Sequence, residues 1–327
     1  MLALWLLHKT ALALFGEKVA LWALGLATVY PPFLFYAAQP MRETAMLAVS
    51  ALLLWLITRT RTVGDFALLG AAAALAGWTN TTFLPFALLL PGLYILTARR
   101  KEEGGRGKGA AVPSSIPHPP SPLLARPLVY SIVLVALYSL WPVRNYLWSG
   151  KFIAGSTAGA GSTFYIYLQI PEEVGGTPKQ QELMDADPVH REGAAIVDRL
   201  EQERYFWKAG TQWVKAHPFG YLKRVAERFA GMWRPAPRAR AYAHDLGLLR
   251  LVSWLTDGWI IPLGFLGLIL TLRRCETWPV AAFVLSVNFT YALVFSMIRY
   301  RLSLMPWMIL YAVAALDWAW AKRKARA

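Results

Sequence analysis

Two arginines flank a tyrosine in Ile298-Arg299-Tyr300-Arg301, in a short gap between two apolar runs. A guanidinium is a planar fork of donors that matches phosphate oxygens in pairs, so this spacing can hold a phosphate at the level of lipid headgroups. The same side chains can equally do no more than carry their charge up to those headgroups, and the residues alone leave both readings open. A second cluster, Trp141-Pro142-Val143-Arg144-Asn145-Tyr146, closes another apolar run and brings Arg144 and Asn145 to a comparable level. A third, Arg42-Glu43, opens one. A carboxylate there complements the dipole of the helix it starts, and it can also orient Arg42 or a substrate hydroxyl.

Other chemistries lack their residues. His190, His217 and His244 are widely spaced and form no HExxH pattern, and there is no GxSxG elbow or P-loop. Cys275 is the only cysteine, which excludes an intrachain disulfide and a CxxC metal site. No metal-ligating set is predicted.

The elements that must position these clusters are apolar. Segments 18–36, 43–58, 64–78, 82–98, 127–142, 248–272, 277–296 and 303–320 approach or reach spanning length, and residues 2–7 read as the inner end of a ninth. Hydrophobic residues make up 56% of the 327 and charged ones 16%, which is lean for a soluble domain. The junctions 8–18, 59–63, 99–126, 273–276 and 321–327 hold 16 of the 34 Lys and Arg, whereas the short opposite junctions hold only Arg42, Arg299 and Arg301. By the positive-inside rule, an all-α polytopic protein of the cell (plasma or inner) membrane is predicted, its C-terminus cytoplasmic and residues 143–247 outside. The net charge of +15 thus reflects helix ends facing anionic lipid, and no nucleic-acid partner is predicted.

Five regions follow: transmembrane helices in 1–98, a disordered cytoplasmic linker over 99–126, a transmembrane helix at 127–142, an outer lobe over 143–247, and helices with a basic tail over 248–327. The linker combines a charged start with a Pro/Ser stretch that cannot bury enough apolar surface to fold. In the lobe, turns and extended chain are predicted from Gly155 through Phe164, Tyr165 and Tyr167 to Glu172 and Glu173. A helix after Pro218 is predicted to turn Leu222, Val225, Phe229, Met232 and Trp233 one way and Lys223, Arg224, Glu227 and Arg228 the other, as does a helix lying flat on a membrane or on the outer ends of the bundle, or equally an amphipathic helix packed in a small soluble lobe. The centres of the spanning segments hold almost no charge, with Asp257 and Asp317 near their ends, which argues against an ion-coupled transporter.

Four features together resemble the membrane-embedded glycosyltransferases of the C-type fold. They are Tyr30-Pro31-Pro32 leading to Phe35-Tyr36 and Arg42-Glu43; a Gly77 turn between paired helices; Trp141 to Tyr146 followed by Gly150; and Arg299-Tyr300-Arg301 before Pro306. The closer likeness is to protein-mannosyltransferase-like and lipid A aminoarabinose-transferase-like enzymes, including the group that decorates lipopolysaccharide cores. The resemblance implies inverting transfer of a hexose or pentose from a polyprenyl-phosphate donor to an acceptor lipid, glycan or protein outside the cytoplasm. It implies that Arg299, Arg301 and Arg144 contact the donor phosphate and that Tyr300 and Asn145 orient the sugar or the arginines. Glu43 is the candidate acid among the residues present, and a divalent metal is the one cofactor left open.

Such enzymes carry their main catalytic aspartate in the first outer loop. Only six apolar residues separate Met1 from His8, so the expectation is that this loop precedes the sequence and that residues 1–327 alone are inactive. Asn80 also stands where relatives often have a basic residue. The competing expectations are a flippase for lipid-linked sugars, which needs polar groups along a path through the bundle, and a non-catalytic membrane scaffold.

Overall fold

The computed structural model describes residues 1–39, 41–106, 122–155, 159–170, 177–236 and 247–325, and every regular element among them is helical. The chain divides into two compact units, Met1–Gly150 with Trp259–Val287 and Leu302–Ala327, and Lys151–Gly258 with Asn288–Arg301. Among the described residues, four helical stretches are long and apolar enough to cross a membrane: Thr81–Glu103, Leu124–Ser149, Arg250–Thr271 and Cys275–Val294. A fifth is formed if the bent pair α2 (Glu17–Thr28) and α3 (Pro31–Ala37) counts as one span. This is fewer than the eight segments of the sequence reading.

The first unit begins with α1 (Leu2–Phe15), which ends at Gly16, where φ is +86°. The junction expected at 8–18 is therefore mostly helix, and Lys9 projects from α1. Segment 18–36 is broken by a 56° bend. The cause is local: Tyr30, ahead of Pro31, is held extended at φ −69°, ψ 114°, because a residue before proline is pushed out of the α region. Next come α4 (Arg42–Arg59) and α5 (Val63–Thr79), the latter started by a capping box between Thr62 and Asp65. Gly77 lies inside α5 and is not a turn; the chain turns at Asn80, whose side chain accepts from the Thr82 N–H.

Helix α6 (Leu84–Arg106) draws in the charged start of the expected linker, and α7 (Pro122–Ser149) draws in its end; residues 107–121 lie outside the described residues. Helix α7 also passes through Pro142, so the segment expected to stop there runs on to Ser149. Proline is tolerated inside spanning helices when neighbouring groups satisfy the freed carbonyl. Helix α13 (Gly247–Thr271) likewise contains Pro262.

The core of this unit is α15 (Met305–Lys324), whose residues from Met305 to Ala315 are all buried. An apolar surface on every side suits a helix enclosed by others. Close approach is achieved with glycine. A Cβ on Gly264 would lie 2.9 Å from the Met308 carbonyl oxygen, and one on Gly267 would overlap the Tyr311 backbone. A Cβ on Gly70 of α5 would sit 2.6 Å from the Tyr130 carbonyl oxygen of α7. Small residues of this kind let helix backbones meet in lipid, where apolar burial gives no net pull. At the basic helix ends cations stack on rings: Arg100 lies 4.9 Å from the Trp278 centroid, Arg274 5.3 Å from Phe15 and Lys322 4.2 Å from Trp318. Lys18 pairs with Asp317 at 2.6 Å.

The second unit holds α8 (Ala160–Gln169), α9 (Pro178–Ala186), α10 (Pro188–Ala194), α11 (Arg199–Ala216) and α12 (Pro218–Gly231), with the C-terminal end of α14 (Trp278–Val294). Phe164, Tyr165 and Tyr167 are thus helical, where extended chain was expected; Glu172 and Glu173 lie outside the described residues. Phe164 stacks on Trp207 at 4.8 Å, and Gly210 is bare because a Cβ would come within 2.7 Å of Phe164. The buried Glu203 accepts the Gly161 N–H at 2.6 Å. Asp198 caps α11 through the Leu200 and Glu201 N–H groups and pairs with Lys151 at 2.7 Å, which hold its carboxyl below the usual range, Lys151 contributing most.

A glycine test follows from this packing. Gly267→Ala should lower thermal stability of the detergent-purified chain by about 1–3 kcal/mol, the cost of overpacking a tight contact. Gly92→Ala, where a Cβ meets nothing within 4 Å, should be neutral or stabilising by up to ~1 kcal/mol. Equal shifts in the two variants would contradict the close helix approach.

Candidate functional site

Glu43, Arg144 and Asn145 belong to the first unit; Arg299, Tyr300 and Arg301 belong to the second. Glu43 lies in the first turn of α4 and is buried, 5% exposed. No side chain caps that helix, so the carboxylate beside its first N–H groups serves the positive end of the helix dipole. Arg144 and Asn145 are adjacent on the last turns of α7, with Arg144 donating to Asn145 Oδ1 at 3.4 Å and lying 5.4 Å from the Trp141 ring centroid.

The turn expected at 298–301 is a short 3-10 helix, Ile298–Ser303. Arg301 is 4% exposed. Its guanidinium donates to the Asp257 carboxylate, to the Arg234 carbonyl and, at 3.1 Å, to the Met232 carbonyl. Asp257, on α13, is 2% exposed. The arginine predicted as a phosphate ligand is therefore engaged with a buried carboxylate and two carbonyls. Arg299 is half-buried, with its guanidinium 5.4 Å from the Tyr300 ring centroid. Tyr300 in turn stacks on Tyr291 at 4.5 Å and meets Phe295 edge-on at 6.0 Å; Phe295 stacks on Tyr167 at 4.0 Å.

A second arginine braces the same unit. Arg228 of α12 is 5% exposed and donates to the carbonyls of Tyr167 at 2.6 Å and of Ala292 and Leu293 at 3.3 Å. The last two are C-terminal carbonyls of α14 that have no intrahelical donor, and a cation there also suits the negative end of the helix dipole. Tyr221 adds a bond to the Leu293 carbonyl at 3.0 Å, and Ser296 donates to the Arg228 carbonyl at 3.0 Å. This corrects the face assigned to the helix after Pro218. Arg228 points inward with Val225 and Met232, while Leu222 is 61% exposed. The amphipathic pattern treats every arginine as outward-facing, but orphan carbonyls are a sufficient reason to turn one in.

Burial pushes the Tyr221 phenol above its usual pKa, with Arg228 opposing; burial and then Asp187 do the same for Tyr165. Both stay neutral hydroxyls near neutral pH and are hydrogen-bonding groups, not bases. The cleft between Tyr167, Arg224, Glu227, Arg228, Phe295 and Ser296 has a volume of only ≈ 10 Å³, room for about one water and not for a sugar. Among the described residues, no group of three or more His, Cys, Asp and Glu side chains is placed to hold a metal ion. Asp257 was visible as the single acid in segment 248–272. A lone carboxylate in an apolar run demands a partner, but spacing did not say which cation supplies it.

No family model matches the chain, and neither a curated protein nor a solved structure matches it.

The Arg228 brace is testable by hydrogen exchange. Arg228→Met should leave the α14 carbonyls short of donors, speed exchange in the α14 C-terminal turns, and cost about 1.5–3 kcal/mol if one charge-assisted bond dominates. Arg228→Lys should recover only part, since an ammonium cannot bridge several carbonyls as a planar fork does. Unchanged exchange in Arg228→Met would contradict the brace.

Proposed function

We propose that this chain is a membrane glycosyltransferase that takes a sugar from a polyprenyl-phosphate carrier and passes it to an acceptor lipid, glycan or protein outside the cytoplasm. The observation that carries the reading is the Ile298–Ser303 turn, where Arg301 is pinned by Asp257 and Arg299 lies over Tyr300. A buried ion pair is a costly way to hold a turn, and on this reading it serves to present that turn in one geometry. The remaining support is the set of motifs at Tyr30–Tyr36, Arg42-Glu43, Trp141–Tyr146 and Arg299–Arg301, on a chain with several apolar, spanning-length helices.

On this reading Arg299 meets the donor phosphate, Tyr300 offers a ring to the sugar or steadies Arg299, and Arg301 is the support beneath them. Arg144 and Asn145, in the first unit, remain candidates through the motif resemblance alone. The acceptor hydroxyl attacks the anomeric carbon, a bond from its oxygen to that carbon forms, and the bond from the carbon to the phosphate oxygen breaks. The phosphate leaves with the electron pair, the hydroxyl proton passes to a carboxylate, and configuration inverts. Glu43 is the candidate carboxylate within these residues. A cation beside the departing phosphate stabilises the charge that develops there, often the largest single catalytic contribution. The proposed orientation puts the C-terminus inside and residues 143–247 outside, with the shorter helices α4, α5 and α15 joining the spanning set to make eight.

Binding of polyprenyl phosphate in nanodiscs tests the donor site without depending on turnover. The intact chain should bind it, and Arg299→Ala should weaken binding by about 1.5–3 kcal/mol, the range for a hydrogen bond to a charged group. Arg299→Lys should restore part. Absence of binding, or unchanged binding in Arg299→Ala, would overturn the donor assignment. With a panel of polyprenyl-phosphate sugars, translocation without cleavage of the sugar–phosphate bond would overturn the transferase reading in favour of a flippase.

A further inference from the structure

Away from the arginine turn, α1 and α4 of the first unit leave a groove of ≈ 490 Å³ between them, lined by Trp5, Lys9, Leu12, Ala13, Trp55, Thr58 and Arg59. The two helices build it from the same device. On each, an indole is followed four residues later by a cation, Trp5 by Lys9 and Trp55 by Arg59, so each cation lies one turn beyond its ring on the same helix face. Lys9 Nζ lies 5.8 Å from the Trp5 centroid and the Arg59 guanidinium 4.9 Å from the Trp55 centroid. The rings approach one another at 5.8 Å with their planes at 50°, which leaves them as walls and not as a closed stack. Leu12 and Ala13 extend the groove along α1 with apolar surface.

The lining contains two cations and no carboxylate. Asp65, the acid next to this end of α4, is taken up at the start of α5, where it accepts the Arg61 and Thr62 N–H groups at 2.9 and 2.7 Å. Its carboxylate still lies close enough to attract Arg59, but it is not part of the lining, whose charged side chains are cationic; the groove remains open, with Trp5 49% exposed and Lys9 and Arg59 exposed. Its volume falls within the roughly 300–1,000 Å³ of small-molecule sites. Tryptophans favour the boundary between headgroups and acyl chains, and lysine and arginine at that level attract anionic headgroups.

We propose that this groove is a binding site for an anionic phospholipid, whose headgroup phosphate is held between Lys9 and Arg59 and whose upper acyl segments lie against Trp5, Trp55 and Leu12. The site recognises lipid charge and is separate from the residues assigned to the donor. It would tie α1 to α4 on the face where both meet the bilayer.

Native mass spectrometry of the intact chain, incubated with equal amounts of phosphatidylglycerol and phosphatidylcholine carrying the same acyl chains, measures retained lipid directly. The wild-type chain should retain phosphatidylglycerol several-fold over phosphatidylcholine. The double variant Lys9→Gln/Arg59→Gln should abolish that preference, and each single variant should reduce it. Lys322→Gln is the control, because Lys322 also lies over a tryptophan four residues before it but is not part of this groove. Its preference should match wild type. Equal retention of the two lipids by wild type, an unchanged preference in the double variant, or an equal loss in Lys322→Gln would each overturn the site. Displacement of the bound lipid by inorganic phosphate alone would replace it with a site for a soluble anion.

Discussion

The ion pair between Arg301 and Asp257 is the constraint on which the arginine turn depends. Both side chains are almost fully buried, so neither charge has bulk water to solvate it. Each is tolerable only while the other is present, and the second guanidinium nitrogen, Nη1, donates to the carbonyls of Met232 and Arg234. Those carbonyls lie just beyond the end of α12. One arginine therefore fixes three things at once in the second unit: the 298–301 segment, the end of α12 and the Asp257 position on α13. The stacking of Tyr300 on Tyr291 and the placement of Arg299 over Tyr300 follow from that anchoring.

The same accounting explains Arg228. A helix that ends away from water must find donors for its last carbonyls, and α14 finds them in Arg228 and Tyr221. Both buried arginines of this unit thus donate to main-chain oxygens, Arg301 in addition to its ion pair. In the first unit the limiting quantity is distance and not charge. Gly264, Gly267 and Gly70 bring backbones together so closely that a methyl group does not fit. The interior there is held by close contact.

How much of this was legible in the sequence depends on the kind of signal. Apolar runs locate helices well, because an uninterrupted backbone in an apolar setting must satisfy itself. Run length locates breaks badly. Pro31-Pro32 bends the 18–36 run, whereas Pro142 leaves α7 unbroken. The Arg299–Arg301 cluster stood out by residue type, but the commitment of Arg301 to Asp257 did not, since the two are 44 residues apart. Arg228 was assigned to the wrong face because a hydrophobic pattern has no knowledge of orphan carbonyls. The groove between α1 and α4 was invisible for a further reason: the junction expected at 8–18 would have removed Lys9 from any helix.

The most direct measurement is a double-mutant cycle on Asp257 and Arg301, read by thermal unfolding and by polyprenyl-phosphate binding. Asp257→Leu and Arg301→Met should each destabilise by about 3–5 kcal/mol, because each strands a buried partner. The double variant should recover most of that loss, because an apolar pair packed in place of the ion pair still holds the turn, and its phosphate binding should then stay close to wild type if Arg299 carries the contact as proposed. Additive losses would show that the two side chains do not depend on one another. Recovery of stability with loss of phosphate binding would show that Arg301 itself is the ligand, contradicting the division of roles between the two arginines.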